Sequence, residues 1–310
     1  MAIFYNTDEL KGFNNAVITI GTFDGVHLGH LTILQQVVAH ARELGGESIV
    51  LTFEPHPRKL LFPDQPIKII TPLAEKIKLI TKAGIDHVFV VPFTQAFAAL
   101  SAEAYVKDFL VKHLQPQGIV IGYDHQFGHD RAGNIKLLQA YENELGFNVY
   151  EIPAKQIEDA AVSSTKIRNS LTAGNVTDAN KMLGRQYSLR GTVVAGAQLG
   201  RTLGYPTANV KPTDAGQIVP GNGVYAIKAI IGTETFNGMM NIGIRPTVSN
   251  ELSLHIEAHL FDFNRDVYNQ SIEIVFAERL RDEQRFPSLD ALKAQLNTDA
   301  VNAKKVLGIL

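Results

Sequence analysis

Two histidines, His27 and His30, stand three residues apart in the stretch Gly21-Thr22-Phe23-Asp24-Gly25-Val26-His27-Leu28-Gly29-His30. An imidazole can donate a hydrogen bond to an anion, and glycine lets a backbone come close to a bulky one. The apolar run 16–20 precedes this stretch, and after it Leu34, Val37, Val38 and Ala41 recur at helical spacing. The glycines therefore fall at a strand-to-helix turn. There the backbone N–H groups and the positive end of the helix dipole favour a phosphate. His27 and His30 are expected to touch nucleotide phosphates, with Gly21, Phe23, Asp24 and Gly29 assigned to the same grip. A zinc pair is the weaker reading. Helix-borne zinc histidines are usually four apart with a Glu between them, and here Leu28-Gly29 intervene.

Ser163-Ser164-Thr165-Lys166-Ile167-Arg168 places hydroxyls ahead of a helix that carries two cations. Alone it reads as an N-cap with solvated charges. Beside the histidines it reads as a second jaw on a triphosphate, formed by Ser164, Thr165, Lys166 and Arg168. Nucleotidyl transfer needs such donors and cations, because charge builds around the α-phosphorus in the transition state. Two more segments follow strand candidates. In Thr52–Arg58, a stiff two-proline loop, His56 and Arg58 are candidates for contact with a nucleotide or a second phosphorylated substrate. In the glycine-punctuated 122–133, Asp124 and Arg131 are the binding candidates.

A second phosphate site is expected in Gly200-Arg-Thr-Leu-Gly-Tyr-Pro-Thr-Ala-Asn209, which lacks the Walker lysine of a P-loop. Thr207 and Asn209 carry the oxygens that hold a hard Mg²⁺ already bridged by phosphates. Downstream, Glu257, read as a strand carboxylate directed inward, could take a proton from a hydroxyl attacking ATP.

These residues need elements to position them. Strand candidates 16–20, 48–53, 87–91, 118–122 and 148–152 alternate with helix candidates 31–44, 73–83, 102–113 and 134–144. That rhythm implies right-handed βαβ units and a parallel sheet covered on both faces, with ligands beyond the carboxyl ends of its strands. Two short helices follow over 163–183. Then β-prone runs at 189–196, 223–231, 236–244, 254–261 and 271–277, separated by turn residues, predict a small antiparallel barrel. The tail is helical in pattern from an N-cap at Ser288. The boundary is expected near Gly184-Arg185-Gln186-Tyr187.

At 310 residues, 45% hydrophobic and 19% charged, the chain has the composition of a globular two-domain protein. A net charge of −2 argues against broad binding to nucleic acid or an anionic membrane. The absence of cysteine excludes disulfides, thiolate zinc sites and cysteine nucleophiles. The N-terminal residues have neither a basic nor an apolar leader region, and the apolar runs are too short to span a bilayer, so a cytoplasmic protein is expected.

Taken in order, these motifs resemble the bifunctional prokaryotic riboflavin kinase/FMN adenylyltransferase family, the FAD synthetases, over nearly the whole chain. Asn241-Ile-Gly-Ile-Arg-Pro-Thr247 and Arg279-Leu-Arg-Asp-Glu-Gln-Arg-Phe286 belong to the same resemblance. It implies a Rossmann-like nucleotidyltransferase domain over 1–184, adenylylating FMN, and a β-barrel riboflavin kinase domain with a C-terminal helix over 185–310. Riboflavin and ATP would give FMN, and FMN with a second ATP would give FAD and pyrophosphate. The resemblance makes Glu257 the general base. It assigns phosphates to His27, His30, Ser164, Thr165, Arg168, Gly204 and Thr207, and Mg²⁺ to Thr207 and Asn209. The flavin falls to His56, Asp124, Arg279, Arg281 and Phe286. The implied partners are small molecules only, with no nucleic acid and no membrane, and self-association stays open. His125, Lys166 and Ile244 depart from the family pattern. A class I tRNA-synthetase-like reading would need a Lys-Met-Ser-Lys-Ser-like loop, which the sequence lacks.

Overall fold

A computed structural model describes residues 1–10, 12–153, 162–196, 204–246 and 252–310. The expected residues 200–203 and Thr247 lie outside them. The chain forms two compact units, Met1–Ser164 and Thr165–Leu310.

The first unit is built on strands β1 (Ala2–Phe4), β2 (Val17–Ile20), β3 (Ser48–Glu54), β4 (His87–Pro92), β5 (Gly118–Gly122) and β6 (Asn148–Ile152). They pair in parallel in the order β1-β4-β3-β2-β5-β6. Chain order runs outward from β2 in one direction and from β5 in the other, so the switch point lies between them. The crevice that receives ligands in such sheets opens there, at the carboxyl ends of the strands. This is why the loops after β2 and β5 face the same rim. Val17, Ile18, Ile49, Val50 and Leu51 are buried on both faces of the sheet.

The helix Leu28–Glu43 buries Leu34, Val37, Val38 and Ala41, the stripe expected from their spacing. It begins three residues before the expected start because His27 caps it: His27 Nδ1 accepts from His30 N at 3.3 Å. Two other expectations are corrected, and one strand was not expected. The segment after β3 is not simply a loop: a short helix, Pro57–Leu61, forms with His56 as its cap, following a cis Glu54–Pro55 bond. The helix expected over 102–113 contains π-helical turns at Tyr105–Val111. The edge strand β1 is too short to show an alternating pattern.

In the second unit, β7 (Ser188–Val194), β8 (Ala208–Pro212), β9 (Gly223–Ile231), β10 (Glu234–Pro246), β11 (Leu252–Leu260) and β12 (Ser271–Arg281) close an antiparallel barrel. Its strand order is β10-β11-β8-β7-β12-β9. The helices Ser164–Thr172 and Val176–Leu183 precede it, and Asn180 Nδ2 donates to Phe276 O on β12 at 2.9 Å. The C-terminal helix Leu289–Val306 starts at Ser288, whose Oγ accepts from Ala291 N as expected, and its Ala303 packs with Ala226, Met239 and Phe261.

Candidate functional site

The loop after β2 turns sharply. Phe23, Gly25 and Val26 have φ of 46°, 93° and 38°, and the first and last are held there by burial of their side chains. Asp24 is buried. Its carboxylate accepts from Ile70 N at 3.0 Å and Thr71 N at 3.1 Å, and its carbonyl accepts from Ser164 Oγ at 2.9 Å. Asp24 and Ser164 thus shape the turn itself. The turn delivers His27 and His30 to the helix start with rings stacked at 3.6 Å and 15°, and Phe23 meets His30 edge-on at 5.1 Å. Gly29, buried in the first helical turn, keeps that end narrow, and Gly21 has room for little else, since a Cβ there would lie 3.1 Å from the Phe23 ring. Two imidazoles at a helix N-terminus form a compact donor array for a phosphate.

The neighbouring loops behave differently from one another. His56 Nδ1 accepts from Arg58 N at 3.2 Å, which leaves the proton on Nε2. Asp124 and Arg131 are exposed, while His125 is pushed down to about 4 by burial and is neutral at physiological pH. Phe127 stacks on Tyr105 at 5.1 Å, and Gly128 packs so closely on Ala102 that a Cβ would fall 2.7 Å from its backbone. The loop is thereby fixed to the helical segment beneath it. Thr165, Lys166 and Arg168 belong to the second unit, where Thr165 and Lys166 are exposed and Arg168 half-buried.

On the barrel, one expectation about Glu257 is overturned. Ile256, Ala258 and Leu260 point into the packed interior, so the two-residue strand period sends Glu257 to the outer face. An apolar barrel interior would penalise an unpaired carboxylate heavily. On the outer face, register brings together residues far apart in sequence: Asn209 pairs with Glu257, and Glu257 with Asn241. Asn241 shares this row although the sequence pattern had not singled it out. Its only signal was a place in the Asn-Ile-Gly motif. Asn209 lies against Gly196, where a Cβ would come within 1.9 Å of its Nδ2.

Thr207 opens onto a pocket of about 440 Å³ walled by Val193, Ala258, Leu260, Phe263, Val267 and Tyr268. The wall from Phe263 to Tyr268 was also unforeseen. Next to Thr207, the Pro206 carbonyl accepts from His259 Nδ1 at 2.9 Å, and Gly204 takes a left-handed φ of 85°. Both arginines expected on the flavin also hold the protein together. Arg281 grips the buried Asp299 carboxylate with Nε at 2.9 Å and Nη2 at 2.7 Å, which anchors the C-terminal helix, and its guanidinium lies 5.6 Å from the Phe286 ring. Arg279 donates to Asn222 O and pairs with Asp282 at 2.8 Å.

A switch-point loop with stacked histidines, and a closed barrel with an outward row of Asn209, Glu257 and Asn241 and a pocket at Thr207, define a two-domain transferase that handles nucleotide phosphates. Comparison with known proteins agrees in each half: the FAD synthetase family model matches residues 10–166 and the riboflavin kinase model residues 183–307. The chain belongs to the bifunctional riboflavin kinase/FMN adenylyltransferase family. It is 39% identical to the member from Escherichia coli K12 over 94% of this chain and 93% of that one. It is 40% identical to the member from Pseudomonas fluorescens over 93% and 92%. A crystal structure described as a macrolide-efflux protein from Streptococcus pneumoniae superposes with a TM-score of 0.86 at 31% identity, covering 96% of each chain. Among the described residues here, no helix is long and apolar enough to cross a membrane.

Proposed function

We propose that the barrel makes FMN and the α/β domain consumes it, with a functional boundary at Gly184–Arg185. The reading is carried by one observation: a single chain holds two separate constellations suited to phosphates, one in each compact unit. In the barrel, Glu257 takes the proton from the riboflavin 5′-hydroxyl. That oxygen bonds to the γ-phosphorus of ATP, and ADP leaves. Asn241 and Asn209 flank Glu257 and orient the reacting groups, while the pocket beside Thr207 takes the nucleotide.

Mg²⁺ fits this site as a partner of ATP. Thr207 and Asn209 offer hard oxygens, and no cluster of three or more His, Asp or Glu among the described residues would compete as an all-protein cage. When bound, the ion supplies charge neutralisation at the β- and γ-phosphates.

In the α/β domain, an FMN phosphate oxygen bonds to the α-phosphorus of a second ATP and pyrophosphate leaves. His27 and His30 donate to the phosphates at the helix start, and Ser164 braces the turn that presents them. His56 and Asp124 serve the flavin phosphate side. The demand for ATP favours a cytoplasmic setting. Incubation with riboflavin, ATP and Mg²⁺, followed by chromatography of the flavins, should yield FMN and then FAD. Absence of both would overturn the reading.

A further inference from the structure

Few polar side chains are buried among the described residues, and Asp24, His27, Thr52, Thr71 and Lys76 are all in or beneath the loop that follows β2. Lys76 is the least expected of them. It lies on the helix Leu73–Lys82, on the inward face with Ile77 and Ile80, and is 5% exposed. A methionine or leucine would fill that place without the cost of desolvating an ammonium. The charge therefore has work that packing does not explain.

Its Nζ donates to Thr22 O at 3.1 Å and to Thr52 Oγ1 at 3.0 Å, while Thr52 Oγ1 itself donates to Thr22 O at 3.1 Å. The Thr22 carbonyl thus receives two donors immediately before the left-handed residues Phe23, Gly25 and Val26. A bulky or β-branched residue stays in that conformation only when its surroundings enforce it. Asp24, held by Ile70 N and Thr71 N, is one anchor of the turn, and Thr22 is the other. The charges facing Lys76 are Asp24 from the loop and Glu54 from the end of β3. On its own helix, Glu75 pairs with Lys78 at 3.7 Å.

We propose that Lys76 is a positioning residue for adenylyl transfer: its buried ammonium clamps Thr22 and so sets the turn that presents His27 and His30. The proposal rests on the reading of this loop as the adenylyl-transfer site. Burial pushes the lysine below its usual range, against the pull of Asp24 and Glu54. Deprotonating a lysine whose pKa is depressed by folding favours the folded state. An alkaline fall in rate with undiminished stability is then a functional effect and not unfolding.

Lys76→Met keeps the volume and removes the charge. FAD formation from FMN should lose about tenfold or more in kcat with little change in KM for ATP, as for a group that orients donors in the transition state. Its alkaline limb should vanish, and riboflavin phosphorylation should stay unchanged in the same tube. Thr52→Val removes an acceptor of the ammonium and should move the alkaline limb to lower pH, whereas Thr52→Ser should leave it in place. A folded Lys76→Met with wild-type kcat and pH profile overturns the proposal. If Lys76→Met does not fold, an unshifted limb in Thr52→Val overturns it. Should His27→Ala also leave FAD formation intact, it is the reading of the site that falls.

Discussion

Replacing His27 by alanine removes the cap of its own helix and one half of the stacked imidazole pair. FAD formation from FMN is expected to drop about 100-fold, the scale for losing a donor to a developing anion, while riboflavin phosphorylation continues. Glu257→Gln should do the reverse, abolishing FMN formation yet still converting supplied FMN to FAD. Chromatography of the flavins separates the two cases, and joint loss of both activities in a folded variant would contradict separate sites. His125 makes a different prediction. Its pKa falls from an unfolded value near 6.5 to about 4, so between those values the unfolded chain binds a proton that the folded one refuses. Stability should therefore decline as pH drops from about 6.5 towards 4. His125→Phe should flatten that decline, as read from urea midpoints across the range. The histidines were legible in the sequence because glycine spacing and helix periodicity are local. The burial of His125 was not, since it depends on Phe127 and the helical segment below.

At the level of elements, the C-terminal helix is held to β12 by the Arg281–Asp299 pair, with Gln295 Nε2 donating to the same carboxylate at 2.9 Å. Asp299 is 1% exposed, so Arg281→Met would strand a buried charge. A loss of about 3 kcal/mol is expected in urea unfolding, the cost of breaking a buried pair from one side. Unchanged stability would show that this pair does not hold the helix. The strand expected over 271–277 runs on to Arg281, and the partner of Arg281 lies 18 residues away on another element. The same holds for Glu257. Alternation showed a strand, and only the packed side of that strand revealed which face its carboxylate takes. β8 went unseen because Pro206 and Pro212 bracket a run of five residues with little alternation.

For the whole molecule, the two reactions are linked by FMN, the product of one and substrate of the other. From riboflavin, His27→Ala alone should make FAD only slowly and Glu257→Gln alone none, but an equimolar mixture of the two should make it readily, since FMN released by one can be used by the other. Failure of the mixture, with each half-reaction intact, would mean that FMN does not exchange between molecules.

By itself the sequence determined the two-domain plan, the order of most strands and helices, and the motifs that carry phosphate chemistry. These depend on periodicity and on neighbours within a few residues. Tertiary structure alone decided that Asn209, Glu257 and Asn241 form one row outside the barrel, that Arg281 serves Asp299, and that a lysine is buried beneath the histidine loop. Those facts follow from strand register and from which side of an element is packed, and both are set by contacts between residues distant in the chain.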